Sequence, residues 1–220
     1  SLKMTDKNRH RFFLVQILKD IYSDIELANY LGFKGGTALM FFYDLPRLSI
    51  DLEFNLLNDN KENVVHQKIH EIILQYGTIF KNERKLKVEI SNRLFDDRYE
   101  IKNLLGINVK VMVQEDMFGH KLCALLDRDS VANRDIFDCW FFMDRQTPIN
   151  KAIVETRMRM PLQEYIQKCI KKLESMKDKS LLQGMGELMD DHMKKFVRTK
   201  MLAEVIRLLN FYKAYPILKN

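Results

Sequence analysis

The fold predicted for this chain is decided by residues 33–39, FKGGTAL, and residues 48–56, LSIDLEFNL. Paired glycines in the first stretch predict a tight turn between a short strand and a helix over residues 38–43, with Thr37 as a possible helix cap. In the second stretch, apolar residues alternate strictly with Ser, Asp, Glu and Asn, which predicts a strand with one solvent-exposed face. Because only a short helix separates the two stretches, we expect both to border one cleft.

Apolar periodicity on either side of these stretches predicts the remaining elements. A helix over residues 8–31 is expected to end at Gly32. Downstream, the pattern predicts a helix at 61–76, two or three strands over 85–91, 99–105 and 107–113, and helices at 115–126 and 134–143. Pro148 marks a boundary, after which helices are separated by Pro161 and by residues 184–186. This order predicts an α+β fold over residues 1–147, followed by a helical C-terminal region over residues 148–220.

The charge of the chain is unevenly distributed. The net charge is +6, but residues 151–220 hold 15 Lys and Arg against 8 Asp and Glu, whereas the first 150 residues hold 21 against 22. A basic region of this kind favours polyanions such as RNA or DNA through counterion release. A solvated, lysine-rich helical surface is the alternative interpretation.

Hydropathy and cysteine content limit the classes of protein to which this chain can belong. No apolar run reaches the roughly 18 residues that a membrane span needs, so no membrane association is expected. The three cysteines, Cys123, Cys139 and Cys169, form no Cys-x-x-Cys pair, which argues against a zinc site and a disulfide framework. We therefore expect the protein to be located in the reducing cytoplasm.

Two acidic residues in the predicted strand form a candidate metal site. Asp51 and Glu53 are two residues apart, so on a strand they point to the same side, together with Ser49. Mg²⁺ prefers a few carboxylates combined with the oxygens of a substrate phosphate. Ser49, and Arg47 at the predicted start of the strand, are candidate phosphate contacts. An ordinary acidic, solvent-exposed strand face is the alternative.

The glycine turn is a candidate phosphate site. A turn formed by Gly35 and Gly36 that leads into a helix presents backbone N–H groups to an anion. No Gly-Lys-Ser/Thr ending follows, so the turn is not a P-loop. A purely structural turn is the alternative.

A third group of charged residues lies downstream. Lys121 and Arg128 are seven residues apart, which predicts that they share one face of a helix. Asp135 and Asp138 are three apart near the start of the next helix, where the helix dipole favours acidic side chains. The alternative is helix capping combined with ion pairs between the two helices.

Together, the segments 34–39, 47–54, 121–128 and 134–138 resemble the AbiEii/MenT family in order and spacing, over roughly residues 10–145. These are nucleotidyltransferase toxins of type IV-like toxin–antitoxin and abortive-infection systems. The resemblance implies a polymerase-β-type fold, a mixed sheet with flanking helices. It also implies a cognate antitoxin and the use of Mg²⁺ with a nucleoside triphosphate. Some similar proteins add nucleotides to the 3′ end of tRNA.

The resemblance also implies roles for individual residues. Asp51 and Glu53 would bind metal, and Lys121 would neutralise charge on the triphosphate as pyrophosphate leaves. The late acidic residue would be either Asp135 or Asp138. The expected phosphate-binding residues are Gly35, Gly36, Thr37, Arg47, Ser49 and Arg128. Glu53 departs from the family pattern, which usually has Asp there, and its extra methylene moves the carboxylate by about one C–C bond.

Three hypotheses about function follow. The first is a Mg²⁺-dependent toxin that transfers a nucleotide from a nucleoside triphosphate to RNA, in particular tRNA. The second is a nucleotide-binding module with weak or no transfer activity, in keeping with Glu53. The third is transfer of the nucleotide to a protein side chain.

Overall fold

The computed structural model describes residues 4–77, 86–176, 181–185 and 189–219, with side chains from residue 7 onward. The chain forms two compact units. The first consists of Ser1–Asp44, Leu48–Leu94 and Arg98–Met112, and the second of Leu45–Arg47, Phe95–Asp97 and Val113–Asn220. The domain boundary predicted between residues 147 and 148 stays a prediction.

The first unit contains a sheet with helices around it. Its elements are α1 (Met4–Ser23), α2 (Ile25–Tyr30), β1 (Leu31–Lys34), α3 (Gly35–Phe42), β2 (Leu52–Leu56), α4 (Glu62–Tyr76), β3 (Val88–Ser91), β4 (Tyr99–Leu104) and β5 (Ile107–Met112). A 3₁₀ turn at Asp59–Lys61 precedes α4.

The five strands form one mixed sheet in the order β3-β2-β1-β5-β4. β1 pairs antiparallel with β2 and parallel with β5, while β2 pairs parallel with β3 and β4 pairs antiparallel with β5. Phe33 of β1 lies opposite Phe54 of β2, with ring centroids 5.2 Å apart and both side chains fully buried. The predicted α+β fold with a mixed sheet is confirmed.

The helix predicted over residues 8–31 is divided in the structure. Asp24 separates α1 from α2, and its carboxylate accepts hydrogen bonds from the backbone N–H groups of Glu26 and Leu27, which caps α2. Gly32 does not end a helix but lies within β1. A Cβ atom at Gly32 would lie 2.2 Å from the Tyr99 ring, so only glycine lets the two come this close.

The strand predicted over residues 48–56 is shorter than expected. It begins at Leu52, because backbone carbonyls ahead of it are hydrogen-bonded to side chains: the His10 ring contacts the Ile50 carbonyl and the Thr37 hydroxyl contacts the Asp51 carbonyl. The prediction of a wholly exposed polar face was also wrong. Asn55 is buried and donates from Nδ2 to the Tyr99 hydroxyl at 2.8 Å.

The second unit is helical over its described residues. Its elements are α5 (Gln114–Ala124), α6 (Asn133–Asp144), α7 (Lys151–Met158), α8 (Leu162–Glu174), α9 (Asp191–Thr199) and α10 (Met201–Ala214). α10 packs against α6 and α8, and α5 packs against α6 and α7. The buried Tyr165 hydroxyl donates to the Leu122 carbonyl at 2.6 Å, which fixes the C-terminal end of α5.

Other boundaries differ by a few residues from those predicted. α3 begins at Gly35 with Lys34 as its N-cap, so Thr37 lies inside the first turn and is not the cap. The third strand begins at Val88, and the residue at which it was predicted to begin, 85, lies outside the described residues, as does residue 186. In the part of the chain that the structure describes, every helix is too short or too polar to cross a bilayer.

Candidate active site

The glycine turn brings the Glu53 carboxylate against the start of α3. Gly35 has φ +82°, a backbone conformation that glycine adopts without the strain that a Cβ causes. A Cβ at this position would lie 2.6 Å from both Cδ and Oε1 of Glu53. The missing side chain therefore makes the space that the carboxylate occupies, which explains why glycine is needed here.

The segment ahead of β2 is held by Thr37. This threonine is fully buried, and its hydroxyl donates to Ser49 Oγ at 3.0 Å and lies within hydrogen-bonding distance of the Asp51 carbonyl oxygen. The Ser49 backbone N–H contacts Met40 Sδ at 3.5 Å. These contacts fix the backbone that carries the half-buried Asp51 side chain.

A cavity of about 420 Å³ opens on the sheet beside Glu53. In the strand register, Glu53 lies opposite Lys34 of β1 on one side and Glu89 of β3 on the other, so the three charged residues form a row across three strands. The cavity is lined by Lys34, Glu53, Phe54, Glu89, Ile90 and Ser91.

The acidic residues of the first unit fit a divalent cation only in part. Asp51 and Glu53 supply carboxylate oxygens and are both partly exposed. Among the described residues, no group of three or more His, Cys, Asp and Glu side chains is arranged to hold a metal ion. A hard cation bound here would take its remaining ligands from water and from substrate phosphate, which is how Mg²⁺ commonly binds in nucleotide sites.

The second unit contains a cluster of four charged side chains, of which Arg47, Asp135 and Asp138 are buried and Lys121 is partly exposed. Arg47 donates from Nε to Asp138 Oδ1 at 2.8 Å and from Nη2 to Asp138 Oδ2 at 2.7 Å. Lys121 Nζ lies 3.0 Å from Asp135 Oδ1 and 3.0 Å from Asp138 Oδ2. Two cations therefore face two anions, and we define these residues as the charge cluster.

Asp138 is ionised within this cluster. Burial by itself would raise the pKa of its carboxyl group, but the charges of Arg47 and Lys121, and the hydrogen bonds that they donate, outweigh burial and lower the pKa to about 2. Its side chain is 0% exposed, so it depends on these two partners for stabilisation of its charge.

Comparison with known proteins decides the family. The sequence profile described as "Nucleotidyl transferase AbiEii toxin, Type IV TA system" matches residues 16–85 and 68–210. This chain belongs to the AbiEii family. The resemblance that the sequence motifs indicated is thereby confirmed, and the protein is a nucleotidyltransferase toxin of a type IV toxin–antitoxin system.

Solved structures agree with this assignment at the level of the fold. JHP933 from Helicobacter pylori is 18% identical with a TM-score of 0.58, and the match covers 98% of this chain and 95% of that one. A "putative nucleotidyltransferase" from H. pylori is 18% identical with a TM-score of 0.59, covering 98% of this chain and 97% of that one. No curated protein matches the sequence.

The predicted AbiEii site residues divide between the two units. The first unit contains Gly35, Gly36, Thr37, Ser49, Asp51 and Glu53, and the second contains Arg47, Lys121, Arg128, Asp135 and Asp138. Arg47 does not begin the strand, because β2 starts five residues later. The expectation that Lys121 and Arg128 share a helix face was wrong, since α5 ends at Ala124 and Arg128 lies exposed beyond it. The binding roles of all these residues stay predictions.

Sequence reasoning missed two charged residues that line the cavity. Lys34 stands directly before the glycine pair, so its position was a usable signal. Glu89 gave no such signal, because its place beside Glu53 depends on the parallel pairing of β2 with β3. Thirty-five residues separate the two acids in the sequence, and strand register cannot be read from either segment alone.

Proposed function

We propose that this AbiEii-family toxin uses Mg²⁺ to transfer a nucleotide from a nucleoside triphosphate to an RNA acceptor, in particular tRNA. The observation that carries this proposal is the placement of the Glu53 carboxylate against Gly35 at the start of α3, next to the segment that bears Asp51. It supports a site where acidic side chains and backbone N–H groups act on one triphosphate.

The residues of the first unit bind and orient the nucleotide in this proposal. Backbone N–H groups at Gly35 and Gly36 donate hydrogen bonds to phosphate oxygens at the start of α3, where the helix dipole favours an anion. Asp51 and Glu53 hold the cation, which when bound supplies positive charge beside the reacting phosphate oxygens. Thr37 and Ser49 keep the backbone of Asp51 in place.

The reaction is a displacement at the α-phosphorus. An acceptor hydroxyl forms the new P–O bond and gives up its proton to a carboxylate of the site, Asp51 or Glu53, while the bond to pyrophosphate breaks and the leaving group departs with its electron pair. Lys121 neutralises charge that develops on the triphosphate, as the family resemblance implies.

The basic second unit binds the acceptor in this proposal. α9 exposes Lys195 and Arg198, and Lys200 follows at its C-terminal end. Exposed cations of this kind bind the phosphate backbone of RNA without needing a particular base sequence. As the toxin component of a two-component system, the protein also has a cognate antitoxin as its partner.

Asp51→Ala tests the proposal. We expect this variant to remain folded, because Asp51 is partly exposed, and to lose nucleotide transfer, because a metal ligand is removed. The measurement incubates the wild-type protein and the variant with total cellular RNA and each of the four labelled triphosphates, and reads the label on a denaturing gel after protease or RNase treatment. Undiminished transfer by Asp51→Ala would contradict the assigned site, and label that survives RNase but not protease would move the acceptor to a protein.

Glu53 favours one second candidate, a nucleotide-binding module without transfer activity. Its carboxylate extends one methylene further than that of the Asp usually found in the family, and Mg²⁺ tolerates displaced ligands poorly. Calorimetric titration of each triphosphate with and without Mg²⁺ separates the two functions. Metal-dependent binding without any label transfer would favour the binding module.

A further inference from the structure

The two aspartates of the charge cluster both face the Lys121 ammonium. Asp135 Oδ1 and Asp138 Oδ2 each lie 3.0 Å from Lys121 Nζ. The Lys121 side chain is 17% exposed, whereas those of Asp135 and Asp138 are 4% and 0% exposed. Of these three groups, the lysine is the one that reaches solvent.

Neither carboxylate is open to a hydrated ligand. Both oxygens of Asp138 accept hydrogen bonds from Arg47, and one of them also faces Lys121. Asp135 Oδ2 is buried and has no hydrogen-bond partner. Mg²⁺ usually keeps several of its waters when it binds protein, and a buried carboxylate oxygen leaves no room for them.

We propose that Asp135 and Asp138 contribute to nucleotide transfer through Lys121, as positioning residues that hold its ammonium group, and not as ligands of the nucleotide or its metal. This inference rests on the proposed function. It assigns a role to both members of the acidic pair near the start of α6, and it makes Arg47 the residue that holds Asp138 in place.

The geometry explains how such positioning works. Lysine has a long side chain with many rotamers, so an ammonium placed by one contact keeps much of its freedom. Two carboxylates at equal distance restrict it to one position. Arg47 binds Asp138 through two nitrogens of a planar group, which fixes the orientation of that carboxylate as well as its charge.

A double-mutant cycle tests the inference. Asp135→Asn and Asp138→Asn are each measured in the wild-type and in the Lys121→Gln background, and kcat and KM for the triphosphate are determined separately. We expect each asparagine to lower kcat about 10- to 100-fold when Lys121 is present, but less than about 3-fold when it is absent. Equal losses in both backgrounds would overturn the proposal, because the aspartates would then act independently of Lys121.

Asp116→Asn is the matched control. Asp116 is a fully buried aspartate of the same unit that accepts a hydrogen bond from Asn150 and lies outside the charge cluster. A loss of activity that comes only from weakened folding should be the same with and without Lys121. We therefore expect this control to show no coupling to Lys121.

A second readout needs no turnover. Mg²⁺ is titrated calorimetrically into the protein with a non-hydrolysable triphosphate analogue, after circular dichroism has confirmed folding. We expect Asp51→Asn to weaken metal binding at least 10-fold and Asp138→Asn to leave it within about 2-fold. Weakened metal binding by folded Asp138→Asn would overturn the inference. This measurement tests the inference even when the wild-type protein transfers no label. The absence of transfer would by itself contradict only the proposed function.

Arg47→Lys covers the case in which Asp138→Asn does not fold. Lysine keeps the positive charge but cannot donate from two nitrogens in one plane, so Asp138 is held less firmly. We expect kcat to fall about 3- to 10-fold in the wild-type background and to stay unchanged in the Lys121→Gln background. An equal fall in both would overturn the proposal.

Discussion

At the scale of single residues, Gly35 and Glu53 depend on each other. The positive φ of Gly35 and the 2.6 Å approach of Glu53 to its missing Cβ are separate reasons for glycine at this position. The first concerns the backbone alone, whereas the second concerns the place of a candidate metal ligand. Substitution can separate the two effects, because the chain contains another glycine that shares only the first.

Gly35→Ala should weaken both folding and nucleotide binding. The strained backbone costs about 1–2 kcal/mol of unfolding free energy, and the new Cβ also displaces the Glu53 carboxylate. We expect Mg²⁺-dependent triphosphate binding to fall at least 10-fold, measured by calorimetry alongside urea unfolding.

Gly106→Ala is the control for this change. Gly106 has φ +89°, and a Cβ there would meet no atom within 4 Å. The unfolding free energy of Gly106→Ala should fall by a similar amount, about 1–2 kcal/mol, because its backbone is strained in the same way, while nucleotide binding stays normal. Equal nucleotide binding by the two variants would show that the approach of Glu53 to Gly35 has no bearing on the site.

At the scale of elements, Thr37 connects α3 to the segment that precedes β2. The sequence pattern predicts that this segment continues the strand, but its carbonyl at Asp51 is hydrogen-bonded to the Thr37 hydroxyl instead. The contact lies inside the first unit and is partly buried, and it gives the Asp51 carbonyl a hydrogen bond to a helix in place of one in the strand ladder. The position of Asp51 is therefore set by α3 as much as by β2.

Thr37→Val should release this segment. Valine has nearly the same shape but no hydroxyl, so Ser49 Oγ and the Asp51 carbonyl both lose a hydrogen-bond partner, at a cost of about 1–3 kcal/mol. We expect lower unfolding free energy in urea and slower nucleotide transfer. Thr37→Ser keeps the hydroxyl and should retain most of the activity; a serine variant as impaired as the valine variant would show that the methyl group, not the hydrogen bond, matters.

At the scale of the whole molecule, the charge distribution separates a basic C-terminal part of the sequence from a nearly neutral N-terminal part. The positive excess lies in residues 151–220, while the first 150 residues are nearly neutral. Within the second unit, α9 exposes cations on a helix whose buried side contains Val197. This arrangement supports the assignment of RNA binding to the second unit.

Lys195→Gln combined with Arg198→Gln should weaken RNA binding and its dependence on salt. Each lost phosphate contact reduces the slope of log affinity against log salt concentration by roughly 0.7–0.9, so we expect a reduction of about 1–2 for the pair. RNA affinity is measured by fluorescence anisotropy at several salt concentrations. We expect triphosphate binding by this variant to be unchanged.

Lys19→Gln combined with Lys151→Gln is the control for this variant. Both lysines are exposed and lie outside α9. This double variant removes two positive charges, as the α9 double variant does. We expect a smaller change in slope. Equal slopes for the two double variants would mean that the total charge, and not α9, determines RNA binding.

The local pattern of residues determined much of the fold and of the family. Alternating apolar residues predicted β2, β4 and β5, and helical periodicity predicted α4, α5 and α6, because these signals depend on neighbours within one element. The order of the motifs around Gly35, Asp51, Lys121 and Asp135 was enough to indicate the AbiEii family, which the match over most of the chain confirmed.

Only the tertiary structure decided which charged groups meet. Arg47 and Asp138 are 91 residues apart, and their pairing depends on how α6 packs beside residues 45–47. The row formed by Lys34, Glu53 and Glu89 likewise depends on the order and register of three strands. The sequence by itself therefore determined the family and the candidate site residues, whose roles stay predictions. Folding determined their partners, because burial and strand pairing act between segments that no local pattern connects.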